Sequence, residues 1–582
     1  MLDRISFELL RDLAEIGRIT PAQKRSRADS IKSLISDGLI DQNYGITQKG
    51  LDALEPHRVK NAIVLAAGMS TRFIPVSYEL PKGLISVKGD VMVERIIRQL
   101  QSAGVEDVTV VVGYMMEKFL YLREKFGVRL VVNSEFATKN THSSIYVARD
   151  HIDNAYICCS DNYYPKNPFH KYEYAAFYCS VYLPGTSYVE RAFHFDENGL
   201  IYDTNKPSKN QWIMFGHAYF DTSFTKEFKP ILESYYGRPG VEGMYWENVY
   251  AENVKRLPMY IKKCTHHDIL EFDSMDELKV FDPDFIRHNK IKIFENICSV
   301  LGCNIEDVTD VVPIKKGINN RSFKFTANNK SYVYRHPGVT AKGVIDRKKE
   351  ATSLKIAKEL GIDNTLIYVD ENEGFKISSY VETTGEFDFD NGEHVKLLAR
   401  HLKALHQNAP AVGYSFDYQA EADKLIDYLR PIDNTAYLNL LTAREKMAPV
   451  FQELNSRPWK KTLCHNDIYE PNLLLHRDGL ELIDWEFAGD SDVGFDVCKL
   501  FTLSKLQPEQ IDEYLSYYFE RPATDEEKAH LYSCASVIYY YWFVWAIYES
   551  KTGGKASSYM MFWHDRMEYF LRLAIDSVKG AN

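Results

Sequence analysis

Cysteine, long apolar runs, low-complexity tracts and any excess of positive charge are all scarce in this chain. Nine cysteines in 582 residues are too few for a disulfide scaffold. The adjacent pair Cys158-Cys159 lacks the C-x-x-C spacing of a zinc site. A reducing compartment, and so the cytoplasm, is the expectation. Met1 to Arg18 carries acids and no apolar h-region, so no secretory signal is expected. The most apolar stretch, Ala535 to Tyr548, is shorter than the roughly 20 residues a membrane span needs. Its Tyr and Trp content points to a buried helix, and no membrane contact is expected. Lys and Arg number 70 against 81 Asp and Glu, a formal charge of -11. A surface that binds nucleic acid as a whole is thereby excluded, leaving only a local element for such a role.

What is present is the composition of a globular protein, 45% hydrophobic and 26% charged, which excludes disorder or a long coiled coil as the main architecture. The length predicts two to four domains. Aromatics reach 13%, with 39 tyrosines, and aromatic faces attract cations. A homo-oligomer is compatible with this composition.

Three segments differ in character. Residues 1–57 alternate short amphipathic helices with turns. Leu9, Leu10 and Leu13 share one face, Thr20-Pro21 reads as an N-cap followed by Pro at the first helical position, and Gly38 ends a helix begun near Ser26. Leu39-Ile40 and Tyr44-Ile46 read as two short strands, and Thr47 caps a last helix through Leu54. Three helices and a small hairpin resemble a winged helix. Lys24, Arg25, Arg27 and Lys32 would then lie in or near its recognition helix.

From Asn61 short apolar runs alternate with helical patterns: Ala62 to Leu65, Val91 to Ala103, Val108 to Val112, Val128 to Val132 and Ala155 to Cys159. Strand, helix, strand at these spacings predicts a parallel α/β sheet over 58–288. Residues 289–582 open with a helix, Ile291 to Leu301. A hairpin follows, Ser322 to Thr326 and Ser331 to Arg335 about Asn328-Asn329, and the chain is mostly helical after Gly392. A small β-rich lobe before a helical lobe is the layout of the kinase-like fold. The fold class expected is therefore multidomain α/β and α+β: winged helix, Rossmann-like nucleotidyltransferase sheet, two-lobed kinase-like fold.

The first chemical string is Leu65-Ala66-Ala67-Gly68-Met69-Ser70-Thr71-Arg72, with Pro81-Lys82-Gly83-Leu84 downstream. Small residues after a strand let backbone N–H groups approach a triphosphate, and Arg72 and Lys82 are cations for phosphate oxygens. The string resembles the nucleoside-triphosphate transferase signature LAAGxGxR…PKxL. Ser70 replaces its second glycine, a change the loop accommodates with a negative φ. Val112-Gly113-Tyr114, Asn140-Thr141-His142-Ser143, Ser160-Asp161, Gly185-Thr186…Glu190, Tyr245-Trp246-Glu247-Asn248 and Glu271-Phe272-Asp273-Ser274 resemble more closely the CTP:phosphocholine cytidylyltransferases of the LicC type. The resemblance implies CTP as substrate, Lys82 as the catalytic cation, and Asp161 and Asp273 as ligands of Mg²⁺. Two carboxylates at strand ends suit a hard cation. Asn140 and Ser143 are candidates for the base site. Glu190 and Trp246 are candidates for holding a quaternary ammonium, although Arg191 stands where an aromatic is expected.

The second string is Cys464-His465-Asn466-Asp467…Asn472, then Asp484-Trp485-Glu486. The frame H-x-D-x4-N is a phosphotransferase catalytic loop: Asp467 accepts the hydroxyl proton, and Asn472 and Asp484 offer oxygens to Mg²⁺. Asn319 and Asn320 supply amide donors above ATP. Arg335, paired with Glu350, is read as a phosphate clamp, against the alternative of a surface ion pair. The segment resembles choline kinases of the LicA type and, more broadly, aminoglycoside phosphotransferases. Trp485, Glu486, Trp542 and Trp545 are the candidates for a choline pocket, since a trimethylammonium needs ring faces and a carboxylate.

Taken together, the resemblances imply one enzyme that converts choline to phosphocholine with ATP and then to CDP-choline with CTP. Two rivals stand. The first is the same chemistry on ethanolamine or 2-aminoethylphosphonate. The second is a DNA-binding regulator whose enzyme-like domains sense metabolites.

Overall fold

The computed structural model describes residues 2–184, 191–205, 210–314, 321–337, 346–504, 508–552 and 559–580. It divides into two compact units, Met1–Asn296 and Ile297–Asn582. The division falls inside the helix Lys292–Leu301.

The first unit opens with helices at Arg4–Ile16, Pro21–Ser26, Ala28–Ser36 and Gln48–Leu54. Each begins where its capping chemistry dictates. Asp3 accepts from the Ser6 N–H at 2.7 Å. Thr20 and Gln23 cap reciprocally ahead of Pro21, and Thr47 accepts from the Gly50 N–H. The two expected strands reduce to a single bridge, Ile40 to Ile46. Phe7, Leu9, Leu10, Leu13, Ile31 and Leu34 form a core that also takes in Tyr172. Glu15 accepts from the Lys171 backbone N–H at 2.8 Å and faces the His170 ring at 2.7 Å. The segment is thus packed on the rest of its unit. Its basic residues are partly engaged: Arg27 pairs with Glu8 at 2.9 Å, Lys32 with Asp29, and Lys24 lies over the Tyr44 ring.

The sheet of this unit is mixed, a difference from the parallel sheet expected. Asn61–Ala66 lies at its centre, parallel to Asp107–Val112 on one side and Ala155–Cys159 on the other. Arg129–Val132 continues the parallel run. Gln211–Phe220 then pairs antiparallel with Ala155–Cys159 and carries the remaining strands. The fully apolar runs are the central strands, buried on both faces. Chain order runs outward from Asn61–Ala66 on one side and returns on the other at Ala155–Cys159. The crevice beyond their carboxyl ends is therefore the topological switch point, where open α/β sheets bind ligands.

The second unit begins with a five-stranded antiparallel sheet ordered Thr309–Ile314, Arg321–Ala327, Lys330–His336, Lys376–Ser379, Leu366–Val369. Asn328 and Asn329 both have positive φ, 50° and 60°, the two-residue turn that asparagine tolerates. Helix Arg347–Glu359 packs on this sheet. The remainder is helical, with two strand pairs inserted: Lys461–Cys464 with Gly489–Asp492, and Leu473–His476 with Gly479–Leu482. The apolar stretch noted above lies in the helix Asp525–Thr552, where Tyr539, Tyr540 and Tyr541 are core residues. Among the described residues no helix is long and apolar enough to cross a membrane.

Two candidate active sites

At the switch point the chain leaves Asn61–Ala66 through Ala67, whose carbonyl accepts from the Tyr114 N–H. Gly68 and Met69 are exposed, whereas Leu65, Ala66 and Ala67 are buried. Ser70 has φ 50° and ψ 52°, so the negative φ expected there is overturned. The loop holds this residue in the left-handed region, at a cost of roughly 1–2 kcal/mol that glycine would avoid. Gly83 is required by contact: a Cβ there would sit 2.6 Å from the Ser160 hydroxyl. That approach brings Lys82 against the end of the strand Ala155–Cys159.

Lys82 is buried and its Nζ lies 2.7 Å from Asp161 Oδ2. Arg72, largely exposed, pairs with Asp273 at 2.7 Å. The short ladder of Asn162–Tyr163 on Leu270–Glu271 explains the meeting. Continued by one residue, its register sets Asp161 opposite Phe272, next to Asp273. Both expected carboxylates and both expected cations thus converge, each acid holding one cation.

Other expected members of this site do not. Trp246 is 2% exposed, stacked on Tyr178 at 5.5 Å and edged by Phe220 and Phe228. It is core and offers no ring face. Ser143 is fully buried, its hydroxyl donating to the Asn140 carbonyl and accepting from Asn133, so its one donor is already engaged within the protein. Asn140 caps the helix Thr141–Ala148 with its side-chain oxygen. Glu190 lies outside the described residues. Arg191 donates to Thr204.

The residue missed by the sequence reading is Glu247. Its Oε1 accepts from the Tyr178 hydroxyl at 3.1 Å, and its buried Oε2 has no partner. Burial pushes the carboxyl up to about 7. Asp161, Glu247 and Glu271 all bear on the Cys159 thiol and, after burial, raise it. Glu247 therefore stands in the same acidic neighbourhood as Asp161.

In the second unit the loop Cys464–Asn472 is held from behind. Asp496, fully buried, accepts from the consecutive backbone N–H groups of His465 and Asn466, each at 2.8 Å, and from His406. Burial alone would raise its carboxyl, but these bonds hold it below the usual range. The His465 Nε2–H donates to the Ile483 carbonyl, leaving Nδ1 to accept the Asp467 N–H at 3.2 Å. Asn466, at φ 65°, is fixed by the Tyr418 hydroxyl and by its own amide on Phe487 and Ser491.

The front of the loop carries the chemistry. Asn472 donates to the Asp467 carbonyl and carboxylate at 2.9 and 3.2 Å. Burial, then the Asp484 carboxylate, push Asp467 up to about 7 against the opposing pull of Lys499. Burial and Asp484 likewise push Glu486 up to about 8. Asp484 itself has φ 71°. Arg335 pairs with Glu350 and reaches Asp484 at 3.1 Å. It is buried, so the surface-pair alternative is excluded, and Glu350 takes a second cation from Arg347 at 3.0 Å. These acids raise the Arg335 guanidinium despite burial.

The aromatic candidates separate. Trp485 is fully buried, edge-on to His465 and donating to the Leu482 carbonyl; it supports the loop and cannot face a ligand. Trp542 and Trp545 are half-buried, packed edge to face at 5.5 Å with Trp563 beside both. Asn319 and Asn320 lie outside the described residues.

Two family models match the chain: the MobA-like NTP transferase domain over residues 62–180 and the phosphotransferase enzyme family over 310–532. The choline-phosphate cytidylyltransferase of Streptococcus pneumoniae is 31% identical over 218 residues, covering 38% of this chain and 95% of that one. The 2-aminoethylphosphonate cytidylyltransferase of Lancefieldella rimae is 34% identical over 230 residues, 39% of this chain and 93% of its own length. Protein LicA of Haemophilus influenzae is 23% identical over 261 residues, 42% of this chain and 95% of its own. With the Lys82–Asp161 crevice in one unit and the Asp467 loop in the other, the chain belongs to the cytidylyltransferase family of nucleotidyltransferases and carries, on the same polypeptide, a kinase domain of the phosphotransferase enzyme family.

Proposed function

We propose that residues 289–582 phosphorylate choline with ATP. Residues 58–288 then transfer CMP from CTP to the phosphocholine, giving CDP-choline and pyrophosphate in the cytoplasm. Residues 1–57 serve as a packing module on the transferase unit. The observation that carries this reading is the presence in one chain of two convergent phosphate-handling loops whose relatives act on successive compounds.

In the kinase site Asp467 receives the hydroxyl proton as the acceptor oxygen attacks the γ-phosphorus. Its raised affinity for protons near neutrality suits a general base. Asn472 orients that carboxylate, and Arg335 presents guanidinium charge to the phosphates. In the transferase site the phosphate oxygen of phosphocholine attacks the α-phosphorus, and Lys82 meets the negative charge that builds there. Asp161 keeps Lys82 aimed until the nucleotide takes over.

The donor sets fit Mg²⁺: Asp161 and Asp273 in one site, Asn472 and Asp484 in the other, all hard oxygens. Burial first, and then the Asp484 carboxylate, raise Asp467 and Glu486, a crowding that a cation would relieve. These oxygens would hold the ion, which would supply charge neutralisation at the phosphates.

A specific observation favours a second reading at the transferase site. Trp246 is sealed in the core, and Glu247 has an unpartnered buried oxygen. A primary ammonium, as in 2-aminoethylphosphonate or phosphoethanolamine, would satisfy that oxygen by hydrogen bonding, which a trimethylammonium cannot do. Mass spectrometry of products from choline, ethanolamine, their phosphates and 2-aminoethylphosphonate, each with ATP and CTP, decides the matter. CDP-choline formed from free choline supports the first reading. Cytidylylation confined to primary amines sinks it.

A further inference from the structure

Two pairs of cysteines among the described residues are near enough to influence each other's thiols, Cys179 with Cys264 and Cys298 with Cys303. They differ in access. Cys179 is fully buried in the sheet against the His217 ring. Cys298 and Cys303 are both half-buried at the end of the helix Lys292–Leu301.

The turn that joins the second pair is closed by backbone hydrogen bonds. Gly302 adopts φ 62°. Its N–H and that of Cys303 both donate to the Cys298 carbonyl, at 2.9 and 3.4 Å. This is the left-handed helix stop, in which the residue after glycine folds back on the residue five earlier and their side chains touch. In most proteins that contact is between two apolar residues; here both are cysteine. The helix stop thus sets the two cysteine side chains beside each other.

We propose that Cys298 and Cys303 form a reversible disulfide by exchange with a small disulfide oxidant such as oxidised glutathione. Cys303 attacks first as thiolate. An S–S bond of glutathione breaks, one glutathione leaves as thiol, and a mixed disulfide remains on Cys303. Cys298 then loses its proton to solvent and displaces the second glutathione. Two cysteine thiols are oxidised, one glutathione disulfide is reduced to two thiols, and the electrons balance. Burial, and then Cys303, push the Cys298 thiol up to about 12, so the first attack does not start from Cys298. A link across six residues fixes the helix stop and leaves both phosphate-handling loops untouched in sequence. The reaction follows the glutathione pool and needs neither catalytic site.

Trypsin releases Ile293–Lys315, which holds Cys298 and Cys303 and no other cysteine. After incubation of the full native chain with oxidised glutathione and alkylation of free thiols, this peptide should appear unalkylated and short of two hydrogens. Reduced glutathione should restore both thiols. Cys298→Ser should trap one glutathione on Cys303, and Cys303→Ser should slow modification of Cys298 at least tenfold. The native chain should also close the bond at least tenfold more readily than the chain in denaturant. Two glutathione adducts on the peptide, no reaction, equal closure in denaturant, or oxidation of Cys179–Cys264 instead would each overturn the proposal.

Discussion

The two catalytic units handle charge in opposite ways. In the nucleotidyltransferase unit the two acids at the loop each hold a cation, Asp161 with Lys82 and Asp273 with Arg72, while Glu247 beside them does not. In the kinase unit Asp467, Asp484 and Glu486 crowd one another, with Arg335 as the neighbouring cation and the left-handed backbone of Asp484 aiming the group. The first loop therefore rests near neutrality and exchanges partners when a nucleotide arrives. The second rests in electrostatic debt and relies on what binds to relieve it. One polypeptide shows that phosphate chemistry can be prepared from either side of neutrality.

The sharpest break of this comparison is to remove one acid from each side. Asp467→Ala should lower phosphorylation by about 10²–10⁴-fold while cytidylyl transfer from added phosphocholine persists. Asp161→Ala should do the reverse, and separate assays with each substrate set read both. Loss of both activities in either folded variant would end the picture of independent sites.

Next is Glu247→Gln, which keeps the shape and removes the charge. If a primary ammonium is the substrate group, kcat/KM for it should fall by about 10–100-fold, the equivalent of roughly 1.4–2.7 kcal/mol. A comparable loss with phosphocholine would show that the carboxylate acts by charge alone. Asp496→Asn should then test the rear support of the kinase loop. It sets an amide N–H₂ against a backbone N–H, a buried mismatch costing roughly 1–3 kcal/mol. The expected result is a lower thermal midpoint and about tenfold lower kcat with KM for ATP little changed, read by calorimetry and initial rates.

A pH series sharpens the contrast further. Asp467 and Glu486 have ordinary values of 3.8 and 4.5 and folded values of about 7 and about 8. The folded chain therefore binds their protons more tightly, and stability falls as pH rises from the ordinary values through the folded ones. With chelator present, thermal midpoints should decline between about pH 5 and 8, and Mg²⁺ should flatten the decline. A midpoint that rises over this window in chelator would contradict the charge crowding. The smallest effect belongs to the first loop: Ser70→Gly should stabilise the chain by up to roughly 1 kcal/mol, since glycine adopts positive φ freely. Denaturant melts would show the shift.

Much of this was legible in the sequence because phosphate loops are local. Lys82, Asp161, Asp273, Asp467, Asn472 and Asp484 could be read from short strings, and the structure brings each set together. Glu247, Asp496 and His406 could not. They act through space from distant segments. Glu247 stands in the string Tyr245-Trp246-Glu247-Asn248, where the ring of Trp246 reads as the ligand group, and nothing local marks Asp496 or His406. The aromatic candidates failed for a related reason. Ring type does not say which way a residue faces. Trp246 turns inward from the first turn of its helix, and Trp485 follows a left-handed residue that directs it into the core. Ser70 shows that a strained φ cannot be read from residue type when a loop is closed by longer-range contacts.

The anchoring of the first helices has a practical corollary. Glu15 grips the chain at His170-Lys171, and the cluster around Phe7 shelters Tyr172. An excised transferase beginning at Arg58 would carry a greasy scar where those helices had been. Such a fragment should clump at concentrations that the longer form tolerates, even with its catalytic crevice intact.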